Sequence, residues 1–407
     1  MKYIILLCDG MSDLPLDQLE GKTPMEAAHK PHMDQLAKVS EMGLVKTIPD
    51  GMSPGSDTAN LSVIGYDPLK YYSGRSPLEA LSIGVDMLPT DVSYRCNLVT
   101  LSEEPGDYQD KIILDHSADE ITTQEAVILL NDLKKYLEIP GYTFYPGISY
   151  RHLLIQSHGR VIQLTPPHDI LDRRIGDYLP TEPVFLEMMK KSYTFLNDHP
   201  VNQTRRSKGL RPANSAWFWG AGTAPSLPSF FETFQKKGAM TSAVDLLKGI
   251  AVGAGLANLQ VPTATGGLNN DYLAQAKAAV KALLEDKNDF VYIHIEAPDE
   301  MGHQGDIQKK IQAIEYIDEL VVPTLTQSLS LAEEDFRLLI LPDHPTPIAL
   351  RTHSAQPVPY LLYDSRKKVP GDQIYSETTA QKTGIMVDPG YTLIRRLFSD
   401  GSDMLLL

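Results

Sequence analysis

Lys2-Tyr3-Ile4-Ile5-Leu6-Leu7-Cys8-Asp9-Gly10 sets an unbroken apolar run directly against an acidic residue and a glycine. Apolar character that is continuous rather than alternating is expected of a strand covered on both faces. Two later stretches repeat the pattern: Phe290–Ile295 runs into Ala297-Pro298-Asp299-Glu300-Met301-Gly302-His303, and Phe336–Leu341 runs into Pro342-Asp343-His344. Helical patterns lie between these runs, at Pro24–Val39, Asp271–Leu284 and Ile307–Leu320. Alternation of this kind predicts a doubly wound α/β sheet. In such sheets ligands gather beyond the carboxyl ends of the strands. The three acidic segments therefore belong on one edge.

Their residue types suit metal. Asp299 and His303 have the spacing that puts both on one helix face, although Pro298 and Gly302 predict a shaped loop instead. On its own the pair is an ordinary surface motif. Asp343 and His344 stand side by side at a strand end in Pro342-Asp343-His344-Pro345-Thr346-Pro347, a rigid turn. His353 follows in Arg351-Thr352-His353-Ser354. Asp9, Asp299 and Asp343, with His303, His344 and His353, form an Asp/His set that fits two divalent cations, Mn²⁺ or Zn²⁺, rather than Ca²⁺ or a thiolate site. Ser56, in Pro54-Gly55-Ser56-Asp57-Thr58-Ala59-Asn60, opens a helix-like stretch. Its hydroxyl suits an N-cap, and equally a nucleophile beside a metal at an anion-attracting helix start.

Length and composition narrow the class. A chain of 407 residues predicts two domains. A formal charge of −15 argues against nucleic acid or an anionic membrane as partner, so an anionic substrate needs local positive charge. No segment is apolar for long enough to span a membrane or to act as a signal peptide. Cys8 and Cys96 do not make a disulfide framework, and a reducing cytoplasm is expected. Between residues 88 and 212 short strands mix with polar loops, and arginines recur at Arg95, Arg151, Arg173, Arg174, Arg205, Arg206 and Arg211. This part is predicted to be an inserted α+β substrate-binding domain, with residues 1–87 and 213–407 forming the metal-binding core and hinges near Met87–Asp91 and Arg211–Ser215. The tail Asp400–Leu407 is expected to be a terminal strand or packed extension.

The pieces together resemble the alkaline phosphatase superfamily, and most closely the archaeal-type cofactor-independent phosphoglycerate mutases. The resemblance rests on Leu6–Asp13, Pro54–Pro68, Tyr71–Ala80, Tyr94–Thr100, Ala243–Ala251, Ala297–His303 and Leu341–Pro347. It implies a metal site of Asp9, Ser56, Asp343 and His344, and a second of Asp299, His303 and His353. It also implies a Ser56 that accepts a phosphoryl group and returns it to another hydroxyl of the same substrate. By the same resemblance Lys248 neutralises the phosphoryl group, and Asp57, Asn60, Arg95, Arg151 and Arg211 meet a small phosphorylated metabolite.

Two departures stand out. Many relatives carry His where this chain has Asn60, and an arginine-rich stretch where it reads Asp115-His116-Ser117-Ala118-Asp119-Glu120-Ile121. A bacterial subgroup with such changes has been proposed to phosphorylate homoserine. The rival readings are therefore a related phosphotransferase such as a homoserine kinase, and a non-catalytic phospholigand-binding protein.

Overall fold

Lys2–Cys8 is β1, buried from Tyr3 onward, and its neighbours decide the rest. The structure is a computed structural model that describes residues 1–367, 369 and 374–399. The tail 400–407 lies outside the described residues. The remaining strands in chain order are β2 (Glu41–Val45), β3 (Val92–Leu101), β4 (Ile113–Asp115), β5 (Tyr142–Tyr145), β6 (Arg151–Gln156) and β7 (Ser215–Thr223). Then come β8 (Gly238–Thr241), β9 (Ala257–Asn258), β10 (Phe290–Ile295), β11 (Phe336–Leu341), β12 (Val358–Asp364) and β13 (Met386–Val387).

Two units result, residues 1–72 with 226–407, and residues 73–225. The first holds an eight-stranded sheet ordered β13-β2-β12-β11-β1-β10-β8-β9. β1 pairs in parallel with β10 on one side and β11 on the other, Leu6 lying opposite Ile293 and Ile340. β12 runs antiparallel to both β11 and β2. Ile4, Leu6 and Cys8 pack into a core with Ala276, Ala279 and Leu283 of the helix Tyr272–Leu284 and with Ile314, Val321 and Leu325. Asp271 caps that helix by accepting from the Ala274 N–H at 3.0 Å.

The second unit is built on an antiparallel sheet, β4-β3-β6-β5, with β7 also paired to β3. The helices Thr123–Leu137 and Pro183–Asn197 supply much of its core through Leu129, Leu133, Met188 and Leu196. The joins expected near 88 and 212 fall inside this unit. The helix Arg75–Ser82 packs on β3 and β7, and β7 itself extends to Thr223.

Two local expectations differ from the structure. Pro24–Val39 is two helices, Pro24–Ala27 and Pro31–Ala37, because the residue before a proline is pushed out of the α region. Asp299 and His303 lie on a helix, Ala297–Gln304, rather than a loop. Pro298 falls in the first turn, where its missing N–H costs nothing. Gly302 fits because the chain passes close: a Cβ there would sit 2.6 Å from the Thr346 carbonyl oxygen.

The loops after β1 and β11 are tied by a fully buried ion pair. Lys310 Nζ meets Asp13 Oδ2 at 2.7 Å, both side chains 0% exposed. The same ammonium donates to the carbonyls of Thr346 at 2.8 Å and Ser12 at 3.3 Å. Asp13 in turn accepts from the Ile348 N–H at 3.1 Å. Lys310→Met leaves Asp13 buried and uncompensated, and is expected to destabilise the first unit by about 3–5 kcal/mol. Chemical denaturation followed on that unit's own transition checks it. A loss no larger than that of an exposed pair, about 1 kcal/mol or less, would show that the ion pair does not hold the loops.

Candidate metal centre

Parallel alignment of β1, β10 and β11 brings Asp9, the helix Ala297–Gln304 and Asp343 to one edge of the sheet. Gly10 makes this approach possible. It sits at φ +60°, and a Cβ there would lie 2.7 Å from Asp299 Cα. Two clusters form, each with its ligand-type atoms within 4.8 Å of one another: Asp9, His294 and Asp343, and Asp299, His344 and His353.

In the first cluster Asp9 is buried, its Oδ2 lying 2.8 Å from His294 Nε2 and 3.5 Å from Ser56 Oγ. Asp9 Oδ1 is buried without a hydrogen-bond partner among the described residues, 3.7 Å from His344 Nε2. That imidazole nitrogen is also 3.2 Å from Ser56 Oγ and 3.4 Å from Asp343 Oδ2. Asp343 is fixed by the Gly10 N–H at 3.1 Å and the Asn60 amide at 2.9 Å. Ser56 is the first residue of the helix Ser56–Val63, with Gly55 in the cap position. Its hydroxyl therefore faces His344 and Asp9.

His303 lies outside both clusters but beside the second: its Nε2 is 2.9 Å from His353 Nε2, and the two nitrogens are 3.3 and 3.4 Å from the Asp299 oxygens. His303 Nδ1 is 3.0 Å from the Arg351 carbonyl, which can only accept. In the neutral ring Nδ1 therefore carries the proton and Nε2 offers a lone pair, as in metal-binding histidines. Thr346 Oγ1 donates to Asp299 and lies 3.3 Å from His344 Nδ1. The His344 and His353 rings are 4.0 Å apart, so His344 joins the two clusters.

Electrostatics points the same way. Burial, then the Asp343 and Asp299 carboxylates, push Asp9 well above the usual carboxylate range. Burial also acts to raise Asp299, but hydrogen bonds from His303 and His353 outweigh it and hold the group well below that range. Hydrogen bonding to Asp299 lifts His303 to about 9. Three crowded carboxylates, one with an unpartnered buried oxygen, require concentrated positive charge. The residues fit divalent cations bound by oxygen and imidazole.

The other expected residues are placed as follows. Asn60 is buried, and its amide is spent on the Ser56 carbonyl, Asp343 and the Tyr292 hydroxyl. Asp57 accepts from the Tyr72 hydroxyl at 2.8 Å. Lys248 pairs with Asp245 at 3.0 Å on the helix Asp245–Gly253, which packs on the Ser56 helix. In the second unit Arg95 is nearly buried, with its guanidinium 4.2 Å from the Trp219 ring and its Nε 3.0 Å from Glu79. His168 meets the same indole at 5.0 Å. Arg151 is exposed, 5.5 Å from the Tyr150 ring. Arg211 is engaged by Asp115 at 3.3 Å and takes Asp119 Oδ2 on its N–H at 2.7 Å. Sequence reasoning missed His294, although a histidine inside the apolar Phe290–Ile295 was a visible signal.

The arrangement defines an α/β protein with a largely buried Asp/His cluster beside a serine, a donor set that fits divalent cations. The model of the 2,3-bisphosphoglycerate-independent phosphoglycerate mutase family matches residues 37–202. The curated enzyme of that name from Methanothrix thermoacetophila is 45% identical, over 98% of this chain and all of the relative. A probable one from Geobacter sulfurreducens is 43% identical over 98% of this chain and 99% of its own. The solved cofactor-independent phosphoglycerate mutase of Thermoplasma acidophilum superposes with a TM-score of 0.64 at 25% identity, covering 98% of this chain and 99% of its own. A Pyrococcus horikoshii structure reaches 0.81 at 29% identity, covering 98% and 96%. The chain belongs to the family of 2,3-bisphosphoglycerate-independent phosphoglycerate mutases.

Elemental analysis of the metal-loaded protein is expected to give two divalent ions per chain, as in two-metal phosphoryl-transfer sites. Asp343→Asn and His303→Ala should each lose one ion with the circular dichroism spectrum unchanged. Retention of both ions by His303→Ala would remove that residue from the ligand set.

Proposed function

We propose that the protein is a phosphoglycerate mutase that interconverts 2- and 3-phosphoglycerate through a phosphoserine at Ser56. The observation that carries this reading is the Ser56 hydroxyl, 3.2 Å from His344 and 3.5 Å from Asp9, at the first turn of its helix. Free N–H groups and the positive end of the helix dipole favour an anion there. Full-length relatives named as this enzyme support it.

Asp9, Ser56, Asp343 and His344 would hold one ion, and Asp299, His303 and His353 the other; Mn²⁺ or Zn²⁺ suits the donors. Bound ions would neutralise the phosphoryl oxygens and favour the Ser56 alkoxide. Ser56 Oγ attacks phosphorus as the P–O bond to one glycerate hydroxyl breaks. The proton given up by Ser56 is matched by the one the departing oxygen takes up. The same exchange with the other hydroxyl returns the phosphoryl group and restores Ser56. Asn60 keeps Asp343 oriented, and Lys248 supplies positive charge to the phosphoryl group.

The glycerate carboxylate needs a cation. Arg95, Arg151 and Arg211 are the arginines we assign to it; Arg95 already pairs with Glu79, and Arg211 with Asp115 and Asp119. That pairing also weakens the homoserine reading, since Asp119 is already satisfied by a cationic residue. No helix among the described residues is long and apolar enough to cross a membrane. Free buried Cys8 and Cys96 support a reducing cytoplasm, where glycolysis runs.

The test compares 3-phosphoglycerate isomerisation with ATP-dependent phosphorylation of homoserine by Mn²⁺-loaded protein. Isomerisation is expected to dominate, and homoserine phosphorylation as the faster reaction would overturn the assignment. Ser56→Ala is expected to abolish turnover, and mass spectrometry of substrate-treated wild type to find phosphate on Ser56. Normal turnover by Ser56→Ala would rule out the covalent route.

A further inference from the structure

His294 stands inside β10, next to Leu7 of β1, where every other side chain of the strand is apolar or Tyr. Its ring is 0% exposed. A polar ring there costs free energy unless both nitrogens are satisfied. Both are. Nδ1 lies 3.1 Å from Ser242 Oγ, and that oxygen accepts the Val244 N–H at 3.0 Å. The Ser242 hydroxyl thus has its proton free for Nδ1. Nε2 lies 2.8 Å from Asp9 Oδ2. A carboxylate ionised to bind metal can only accept. With metal bound and Asp9 ionised, the chain would run in one direction, from Val244 N–H to Ser242, from the Ser242 hydroxyl to Nδ1, and from Nε2–H to Asp9.

The consequence falls on Asp9. Its Oδ2 is occupied by His294, while its buried Oδ1 has no hydrogen-bond partner among the described residues and faces His344 Nε2 at 3.7 Å. Outer partners of this kind orient carboxylate and imidazole ligands, and their loss commonly weakens metal binding. We propose that His294 is a positioning residue: its Nε2–H holds Asp9 Oδ2 so that Oδ1 is the oxygen presented to the metal, with Ser242 setting the tautomer. This rests on the two-metal reading above. It differs from a ligand role for His294, which would require the Nε2 lone pair, and Nε2 is committed to Asp9.

Calorimetric titration of chelator-stripped protein with Mn²⁺ and with Zn²⁺ separates the cases. His294→Leu is expected to bind two ions still, one of them about 10–100-fold more weakly. His294→Gln, whose amide can place an N–H where Nε2–H stood, is expected to recover affinity to within a few-fold of wild type. Ser242→Ala should weaken the same ion more mildly, and it carries the test with His294→Gln if His294→Leu does not fold. Wild-type affinity in His294→Leu overturns the proposal. So does loss of one ion altogether in His294→Gln, which would make His294 a ligand. A wild type that binds no divalent ion overturns the two-metal reading itself and this inference with it. Binding by the wild type with unaffected variants overturns the inference alone.

Discussion

Three parallel strands hydrogen-bonded side by side, β11, β1 and β10, are the constraint on which the site depends. Parallel strands leave a sheet on the same edge. Asp9, Asp343 and the Asp299 helix therefore meet although more than three hundred residues separate Asp9 from Asp343. Each strand is closed to water on both faces, which makes its register costly to shift. A slip of one residue would turn Leu6 and its neighbours out of the core and carry Asp9 away from His344.

Strand order brings the chain ends together but does not orient the side chains. That is done by buried polar contacts, which are stable only when each group is matched. Lys310 joins Asp13 to the carbonyls of Ser12 and Thr346, so the loops after β1 and β11 are held as one body. Thr346 continues the network to Asp299. Asn60 links Ser56, Asp343 and Tyr292. Gly10 and Gly302 let these segments pass at distances a Cβ would forbid. The second unit shows a different balance. There the Arg95 guanidinium lies over the Trp219 ring, with His168 edge-on to the same indole.

Position along a helix separates the two readings of Ser56. As an N-cap its hydroxyl would be consumed by the backbone. Because Gly55 takes the cap position, Ser56 enters the first turn and its hydroxyl is released toward the carboxylates. A shift of a single residue therefore separates a structural serine from a candidate nucleophile.

The continuous apolar runs ending at Asp9 and before Asp343 pointed to the sheet, since runs this short, closed by Asp-Gly and Pro-Asp, suit strands buried on both faces, and with it the edge on which Asp299, His303, Asp343, His344 and His353 would meet. The Ser56 motif and its relatives' pattern supplied the chemistry. Tertiary structure decided what spacing does not encode. His294 joined Asp9 because register placed β10 beside β1, and nothing local marks a cross-strand partner. Asn60 became a support for Asp343 because helix Ser56–Val63 turned it inward. Arg211 was spent on Asp115 and Asp119 because residues about ninety positions apart fold against each other. Composition and period reveal which segments are buried, while the partner of a buried polar atom is set by contacts between segments distant in the chain.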